Sequence, residues 1–382
     1  MAKETSTPAG LSQIKPTNLV GFHRALAKWY RAHGRHDLPW RNTEDPYKIW
    51  ISEVMLQQTQ VATVRERFYQ PFLKKFPTVE ALAKAERTEV MKAWEGLGYY
   101  RRAGNLHEAA KRISGSRFQV PALLTETWNP EPETLLSLPG IGRNTAHAIL
   151  AFAYHQPVAI LEANVKRVVA RVFALEAPSD KQLWEGAETL LNKGDAFDYN
   201  QAMMDLGSMI CTPKNPPCGA CPAASICRGK AAPEHYPAPK ARKKIPTREV
   251  VIEVREDARG RLFLEKRDAK LLGGLYGFPQ VPGSGFQVSG RKKNASLLAG
   301  TWNLKPETYL GTVTHTYSHF KLVGHVMRVR IASKPNAPDW YDRDEIRALP
   351  LSTLDHKVLA LVDNSHTLRK KRTKAAPQRT KH

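Results

Sequence analysis

The feature that most constrains the fold is a cluster of cysteines. All four cysteines of the 382-residue chain lie within residues 211–227, CTPKNPPCGACPAASIC, with the spacing C-x6-C-x2-C-x5-C. Four thiolates this close in sequence can surround one metal centre, and they suit a 4Fe–4S cluster or a structural zinc ion. Zinc sites usually combine two short C-x2-4-C pairs across a longer gap. Because only Cys218 and Cys221 form such a pair, the spacing favours one 4Fe–4S cluster held by Cys211, Cys218, Cys221 and Cys227.

Two disulfides or free core thiols are the alternative for these cysteines. Disulfides are typical of secreted chains, but the N-terminal MAKETSTPAGLSQ lacks the apolar stretch of a signal peptide. No apolar run approaches the ~18 residues that span a bilayer, so we expect no transmembrane segment. A cytoplasmic location, where thiols stay reduced, is the expectation.

The charge balance predicts a polyanionic partner. The chain has 58 Lys and Arg residues against 36 Asp and Glu residues, a net charge of +22. Such an excess attracts nucleic acid or an anionic membrane, with an affinity that falls as salt rises. No basic amphipathic helix with a clean apolar face stands out, so nucleic acid is favoured over membrane. A basic surface that serves only solubility is the alternative.

The period of the apolar residues divides the chain into helical and strand-containing parts. The predicted divisions are a disordered N-terminus (1–18), an all-helical domain (19–228), an extended basic linker (229–247), an α+β domain (248–365) and a disordered tail (366–382). The tail has seven Lys and Arg residues and no acid. In the second domain, a period of two predicts a hairpin over 248–257 and 260–268, then strands 309–314 and 321–332 and a helix 353–364.

Residues 46–75 carry apolar side chains at the period of one long helix with a buried face. The apolar stripe is interrupted at Gln57 and Gln58. Glu53 lies about 100° from Val54 around the helix, at the edge of the stripe. A partly desolvated carboxyl there would have a raised pKa and could act as a general acid. Periodicity alone favours a solvated Glu53.

Three further segments carry candidate functional residues. LPGIGR (138–143) predicts a helix-hairpin-helix turn, in which Gly140 and Gly142 let backbone N–H groups face a phosphate; an ordinary turn between helices is the alternative. GLGYYRRAGN (96–105) suits a turn that contacts DNA, although Tyr99 and Tyr100 could also be core. Glu162 and Asn164 fall at a helix start, where side chains of this kind cap.

These segments occur together with others in an order that resembles a known family. LPWR (38–41), SEVMLQQTQVATV (52–64), WEGLGYY (94–100), LPGIGR, NQAMMDLGSMIC (200–211) and the cysteine loop resemble the MutY family of adenine DNA glycosylases, in the helix-hairpin-helix superfamily. LLGGLYGFPQ (271–280) and THTYSHF (314–320) look like that family's Nudix-like domain. The implied fold is multidomain: an all-α helix-hairpin-helix glycosylase domain with an iron–sulfur cluster loop, plus an α+β Nudix-like C-terminal domain.

The resemblance implies removal of adenine from A:8-oxoguanine or A:G mispairs in double-stranded DNA, by a monomer associated with the bacterial nucleoid and not with a membrane. It implies that Glu53 is the catalytic acid and that Glu162 and Asn164 belong to the catalytic segment. Residues implied to line the base pocket or contact DNA are Trp40, Arg41, Leu56, Gln57, Gln58, Thr59, Tyr99, Gly140, Gly142, Arg143, Gln201 and Lys214. Tyr317, Ser318 and His319 match the loop that contacts 8-oxoguanine.

The chain also departs from the family. Where the family has Asp followed by Gly, this chain has Glu162 and Ala163. A misplacement of about 1 Å can cost on the order of 100-fold in rate. Asn144 occupies the position of the lyase Lys in endonuclease III-like relatives, so no amine is available for a Schiff base and we predict a monofunctional glycosylase.

The departures leave two other hypotheses open: a glycosylase for another base, and a lesion-binding protein that has lost catalysis. In the Nudix-like part, no R-E-x-x-E-E string follows Gly277. Without those metal-binding carboxylates we expect a reader of 8-oxoguanine and no nucleotide pyrophosphatase activity.

Overall fold

The computed structural model describes residues 14–115, 131–239, 244–267, 272–282, 308–331 and 339–374. The chain forms two compact units, each made of two separate segments of the sequence. A helical unit comprises Met1–Lys84 and Asn105–Arg242, and a sheet unit comprises Ala85–Gly104 and Lys243–His382. Residues 85–104, which lie within the predicted helical domain, thus group with the C-terminal residues.

Short helices account for the structure before the linker. In chain order they are α1 (Pro16–His33), α2 (Pro46–Leu56), α3 (Val61–Thr63), α4 (Tyr69–Lys75), α5 (Val79–Lys84), α6 (Arg87–Ala93), α7 (Arg101–Ser114), α8 (Pro132–Leu136), α9 (Arg143–Ala153), α10 (Ala163–Val172), α11 (Asp180–Leu190) and α12 (Ala196–Asp205). π-Helical turns at Val64–Phe68 and Leu206–Ile210 follow α3 and α12. No helix among the described residues is both long and apolar enough to cross a bilayer.

The prediction of one helix over 46–75 is wrong at its centre. Helix α2 ends at Leu56, and Gln58 has a left-handed backbone with φ of 57°. Left-handed backbone cannot continue a right-handed helix. The two glutamines that interrupt the apolar stripe therefore mark a break between helices, which frees the Gln57 side chain to contact another element.

A core of apolar side chains joins the first helix to the last helices of the helical unit. Phe22 and Leu26 of α1 are buried in one cluster with Val169 of α10, Trp184 of α11 and Met203 of α12. Three of the cysteines also pack against this cluster. The cysteine loop is therefore attached directly to the helices that form the core.

The sheet unit contains a six-stranded mixed sheet. Its strands are β1 (Thr247–Asp257), β2 (Leu262–Phe263), β5 (Gln280–Pro282), β6 (Thr308–Thr316), β7 (Lys321–Ile331) and β8 (Trp340–Tyr341), while β3 (Glu265–Lys266) and β4 (Tyr276–Gly277) pair separately. The predicted hairpin is reduced to one β1–β2 pair, and β1 instead pairs along its whole length with β7, in parallel. Helices α13 (Arg343–Ala348) and α14 (Thr353–Lys374) supply Ile346 and Leu354 to its core.

The segments between and beyond the predicted domains differ from expectation. Helix α1 begins at Pro16, inside the predicted disordered N-terminus, whose residues 1–13 lie outside the described residues. The linker contains 3-10 turns at Arg228–Ala231 and Pro233–His235. Helix α14 continues to Lys374, into the predicted disordered tail, and residues 375–382 are not described.

Candidate active site

The helical unit contains a cavity of about 220 Å³. It lies where the chain from Arg35 to Val61 meets α9, α12 and the start of α10. Residues that the sequence assigned to catalysis or the base pocket and that line this cavity are Trp40, Arg41, Glu53, Leu56, Gln57, Thr59, Asn144, Glu162, Asn164 and Gln201. The fold therefore brings together side chains that are up to 161 residues apart in sequence.

Helix α2 carries Glu53 into the cavity. The N-terminus of this helix is stabilised by Pro46 at the first position and by the Asp45 N-cap. The Asp45 carboxylate accepts hydrogen bonds from the backbone N–H groups of Tyr47 (2.9 Å) and Lys48 (3.3 Å). Burial raises the pKa of Glu53 to about 7, repulsion from Glu162 adds to the rise, and Arg41 opposes it. The solvated Glu53 that periodicity favours is wrong, because the cavity wall comes from helices distant in sequence.

Glu162 caps the N-terminus of α10, as the sequence predicts. Its two carboxylate oxygens accept from the backbone N–H groups of Asn164 (2.8 Å) and Val165 (3.0 Å), and the Asn164 side-chain amide donates to it at 3.2 Å. Burial raises the pKa of Glu162, although these hydrogen bonds act in the opposite direction. Asn144 accepts from the backbone N–H of Leu161 (2.8 Å) and so fixes the segment that presents Glu162.

Arg41 is held in place by a buried acid that the sequence analysis did not single out. The fully buried Asp205 carboxylate receives two hydrogen bonds from the Arg41 guanidinium (2.7 and 2.8 Å) and further ones from the Arg35 side chain and backbone. Bidentate pairs of this kind fix the plane of the guanidinium. Arg41 is therefore part of a rigid cavity wall. An acid within the apolar run AMMDLG (202–207) is the sequence signal for it.

Gln201 is oriented by Tyr30, which the sequence analysis also missed. The Tyr30 hydroxyl donates to the Gln201 side-chain oxygen at 2.9 Å, and both side chains are buried. Burial raises the pKa of Tyr30 to about 12, so the hydroxyl keeps its proton at neutral pH. With its oxygen engaged, Gln201 has its amide N–H₂ group available for other partners.

Several predicted DNA-contacting residues lie outside the cavity. Gln58 is exposed and does not line it. Gly140 has φ of 80°, and a side chain there would meet Asn105 2.8 Å away, so the helix-hairpin-helix turn requires glycine. Gly142 is the N-cap of α9. Arg143 pairs with Glu188 (2.5 Å) and stacks over a tryptophan, so its guanidinium is already partnered.

The cysteine loop surrounds a second, smaller cavity. Cys211, Cys218, Cys221 and Cys227 are half-buried free thiols that line about 20 Å³ of space. Buried Arg171 donates to the Cys211 sulfur at 3.3 Å, which places a positive charge beside the thiols. Among the described residues no three His, Cys, Asp or Glu side chains are placed to hold a single metal ion. Lys214 is exposed on the outside of the loop.

The remaining candidates belong to the sheet unit. Tyr99 has φ of 50° and a side chain that is 47% exposed. Tyr317, Ser318 and His319 form the turn between β6 and β7, which the Tyr317 N–H closes by donating to the Phe320 carbonyl at 2.8 Å. Ser318 and His319 are exposed. The turn thus presents the polar side chains of Ser318 and His319 to solvent from the edge of the sheet.

Comparison with known proteins identifies a family match in each half of the chain. The model of the HhH-GPD superfamily of base excision DNA repair proteins matches residues 51–193, and that of the NUDIX domain matches residues 250–361. The "Adenine DNA glycosylase" of Buchnera aphidicola (strain Bp) is 31% identical over 92% of this chain and 99% of the relative. The human "Adenine DNA glycosylase" is 32% identical over 89% of this chain and 73% of the relative. The chain belongs to the adenine DNA glycosylase family.

Among solved structures, a thermostable thymine-DNA glycosylase aligns with a TM-score of 0.50 and 29% identity over 56% of this chain and 97% of that chain. The resemblance to the family and the multidomain fold predicted from the sequence are confirmed. The first matched segment contains Glu53, Asn144, Glu162 and Asn164, and the second contains the Ser318 turn.

Proposed function

We propose that the chain is a monofunctional glycosylase that hydrolyses the N-glycosidic bond of adenine paired with 8-oxoguanine, or with guanine, in duplex DNA. The observation that carries the proposal is the meeting of Glu53 and Glu162 in one cavity, where burial raises the pKa of Glu53 to about 7. Pockets for drug-sized ligands are roughly 300–1,000 Å³. The cavity, at about 220 Å³, suits a single base turned out of the helix.

The two carboxyl groups divide the reaction. Protonated Glu53 donates its proton to a ring nitrogen of adenine, so that the bond from the sugar to the base breaks and its electron pair leaves with a neutral base. The sugar is left with positive charge, which the Glu162 carboxylate stabilises until water adds to the sugar carbon and gives up a proton, which restores the acid form of Glu53. Asn144 has no nucleophilic amine, so the reaction ends at the abasic site and the DNA strand stays intact.

The cavity walls supply recognition of the base. Trp40 gives an apolar wall, and Gln201 offers an amide N–H₂ group whose direction Tyr30 sets. Such preset polar groups select one base because a base without the matching acceptor leaves them unpaired. Arg41, fixed by Asp205, adds positive charge to the wall and opposes the rise in the pKa of Glu53, while Arg167 favours the ionised form of Glu162.

Contacts other than those to the extruded base hold and deform the duplex. The Gly140–Gly142 turn and Lys214 contact phosphate, and Gln57, Gln58 and Tyr99 fill the space left by the extruded base. The turn of Tyr317, Ser318 and His319 contacts the 8-oxoguanine. The net charge of +22 makes this binding strong and dependent on salt.

The four cysteines hold one 4Fe–4S cluster in this proposal. Four soft sulfur donors fit the cluster, and the guanidinium of Arg171 in contact with Cys211 offsets its negative charge. The cluster would fix the loop against the helical core and supplies no step of the hydrolysis.

Single-turnover cleavage tests the proposal. A duplex with one A:8-oxoguanine pair is mixed with excess protein, and adenine loss is detected by alkaline strand scission. The wild type should release adenine, Glu53→Gln should not, and Glu44→Gln, which changes a 65% exposed acid of the same unit, should match the wild type. Tight binding without release of adenine, or release of a different base from a panel of duplexes, would contradict the proposal.

A further inference from the structure

The loop that carries Tyr99 is held in a strained conformation. A left-handed backbone is uncommon for a residue with a side chain and persists only when its surroundings fix it. Here the Trp94 indole N–H and the Arg102 guanidinium both donate to the Gly98 carbonyl, at 3.1 and 3.2 Å. The guanidinium also lies 5.3 Å from the Tyr99 ring centre. The contacts of Trp94 and Arg102 thus fix the backbone next to Tyr99, while the Tyr99 ring stays exposed.

The start of this loop is bound to a segment of the chain some 250 residues away. The Glu95 carboxylate accepts from the backbone N–H of Leu351 (2.9 Å), from His356 (2.7 Å) and from Lys92. Burial alone would raise the pKa of Glu95, but the hydrogen bonds from His356 and Lys92 lower it, so the carboxylate is ionised at neutral pH. We call Glu95, Leu351 and His356 the clamp.

Two neighbouring contacts reinforce the clamp. The Tyr100 hydroxyl donates to the Leu351 carbonyl (3.3 Å) and accepts from the Gly96 N–H (3.1 Å). Lys92 donates to the Leu349 carbonyl at 3.0 Å. Both ends of the Tyr99 loop are therefore attached to the residues that lead into α14.

The same region of the sheet unit supports the turn that contains Ser318. Lys357 of α14 donates to the Thr314 carbonyl of β6 at 2.7 Å, just before that turn. The Ser318 hydroxyl lies 3.5 Å from the Tyr99 hydroxyl. The exposed aromatic ring and the exposed serine are thus neighbours in one compact unit, and α14 connects the supports of both.

We propose that the clamp is a positioning device: it fixes Tyr99 against the Ser318 turn, so that recognition of 8-oxoguanine and insertion of the aromatic wedge occur as one event. This inference rests on the function proposed above and extends it to Glu95 and His356. Neither residue contacts DNA in this scheme. A wedge that is already ordered loses little conformational freedom when it binds, which favours the bound complex.

Loosening the clamp should affect the two mispairs unequally. With 8-oxoguanine, contact at the Ser318 turn helps to drive the wedge into the duplex only if the two are rigidly connected. When the base opposite adenine is guanine, the Ser318 turn contributes less binding free energy, so a rigid connection between the turn and Tyr99 has a smaller effect. The preference for A:8-oxoguanine over A:G should therefore fall in clamp variants, by about tenfold, the size expected for one charge-assisted hydrogen bond.

The test compares Glu95→Ala, Glu95→Gln and His356→Ala with Asp344→Ala. Asp344 is an exposed acid of the same unit, so its loss changes the net charge as Glu95→Ala does. His356 has a half-exposed side chain, so its removal should leave the fold intact. The readouts are single-turnover rates at saturating protein on both mispairs, and the fluorescence of a 2-aminopurine placed next to the 8-oxoguanine, which rises when the wedge unstacks it.

We expect Glu95→Ala and His356→Ala to lower the ratio of the two rates and the fluorescence rise, Glu95→Gln to fall between them and the wild type, and Asp344→Ala to change neither. A ratio and a fluorescence rise that stay at wild-type values in both alanine variants, with unchanged thermal unfolding, would overturn the clamp. If the wild type releases no adenine, the proposed function fails, and the fluorescence still decides whether the clamp positions the wedge.

Discussion

The rate of adenine release should fall as the pH rises through 7. In the proposed reaction only protonated Glu53 is active, and its pKa is about 7. The protonated fraction is then about nine tenths at pH 6 and about one tenth at pH 8, so the single-turnover rate should fall about tenfold between them. The perturbation is a change of buffer alone, and no residue need be altered.

The direction follows from the causes of the pKa shift. Burial in the cavity disfavours the carboxylate most, and repulsion from Glu162 adds to this. Raising the pKa from 4.5 to about 7 corresponds to about 3 kcal/mol in favour of the acid, as an upper bound because the cavity is open to water. Between pH 4.5 and pH 7, Glu53 keeps its proton in the folded chain and loses it in the unfolded chain. The resulting contribution to the free energy of unfolding is present below pH 4.5 and is lost as the pH rises through 7.

The assay is the A:8-oxoguanine reaction with protein in excess over DNA, at fixed salt, from pH 5.5 to 8.5. Saturating protein removes the dependence of binding on pH, so the profile reports the chemical step. Glu44→Gln should give the wild-type profile, since Glu44 does not line the cavity. A rate that stays flat or increases from pH 6 to 8 would refute the assignment of Glu53 as the proton donor.

Four other changes have defined outcomes. Glu162→Asp keeps the charge and restores the shorter side chain; we expect single-turnover release to rise, by up to about 100-fold, and an equal or lower rate would show that the backbone already compensates. Tyr30→Phe frees the pocket glutamine and should slow release about tenfold with unchanged DNA affinity, as one lost hydrogen bond predicts. Asp205→Asn leaves two arginines facing a neutral group and should lower the free energy of unfolding by about 3 kcal/mol in urea. Cys221→Ser should yield colourless protein if a brown cluster is present in the wild type; colourless wild-type protein would instead indicate zinc.

Features that depend on neighbouring residues could be read directly from the sequence. The cysteine spacing, the Pro139–Gly140 turn and the cap at Glu162 are local, because a ligand loop, a tight turn and a helix terminus are each specified within a few residues. The long strands β6 and β7 were also predicted closely, since alternation of apolar side chains records which face of a sheet is buried.

The chemistry of the site and the division into units depend on tertiary packing and could not be predicted from the sequence. Hydrophobic periodicity predicted a solvated Glu53 because the pattern describes the faces of a single helix. It carries no information about the other helices that enclose the cavity. Arg41, Gln201 and Glu95 each have a partner more than 160 residues away, namely Asp205, Tyr30 and Leu351. A polar pair of this kind does not appear in the hydrophobic periodicity of either segment. The local sequence specifies the position of a carboxyl group on its own helix. The pKa and the hydrogen-bond partners of that group depend on the side chains that the rest of the chain packs against it.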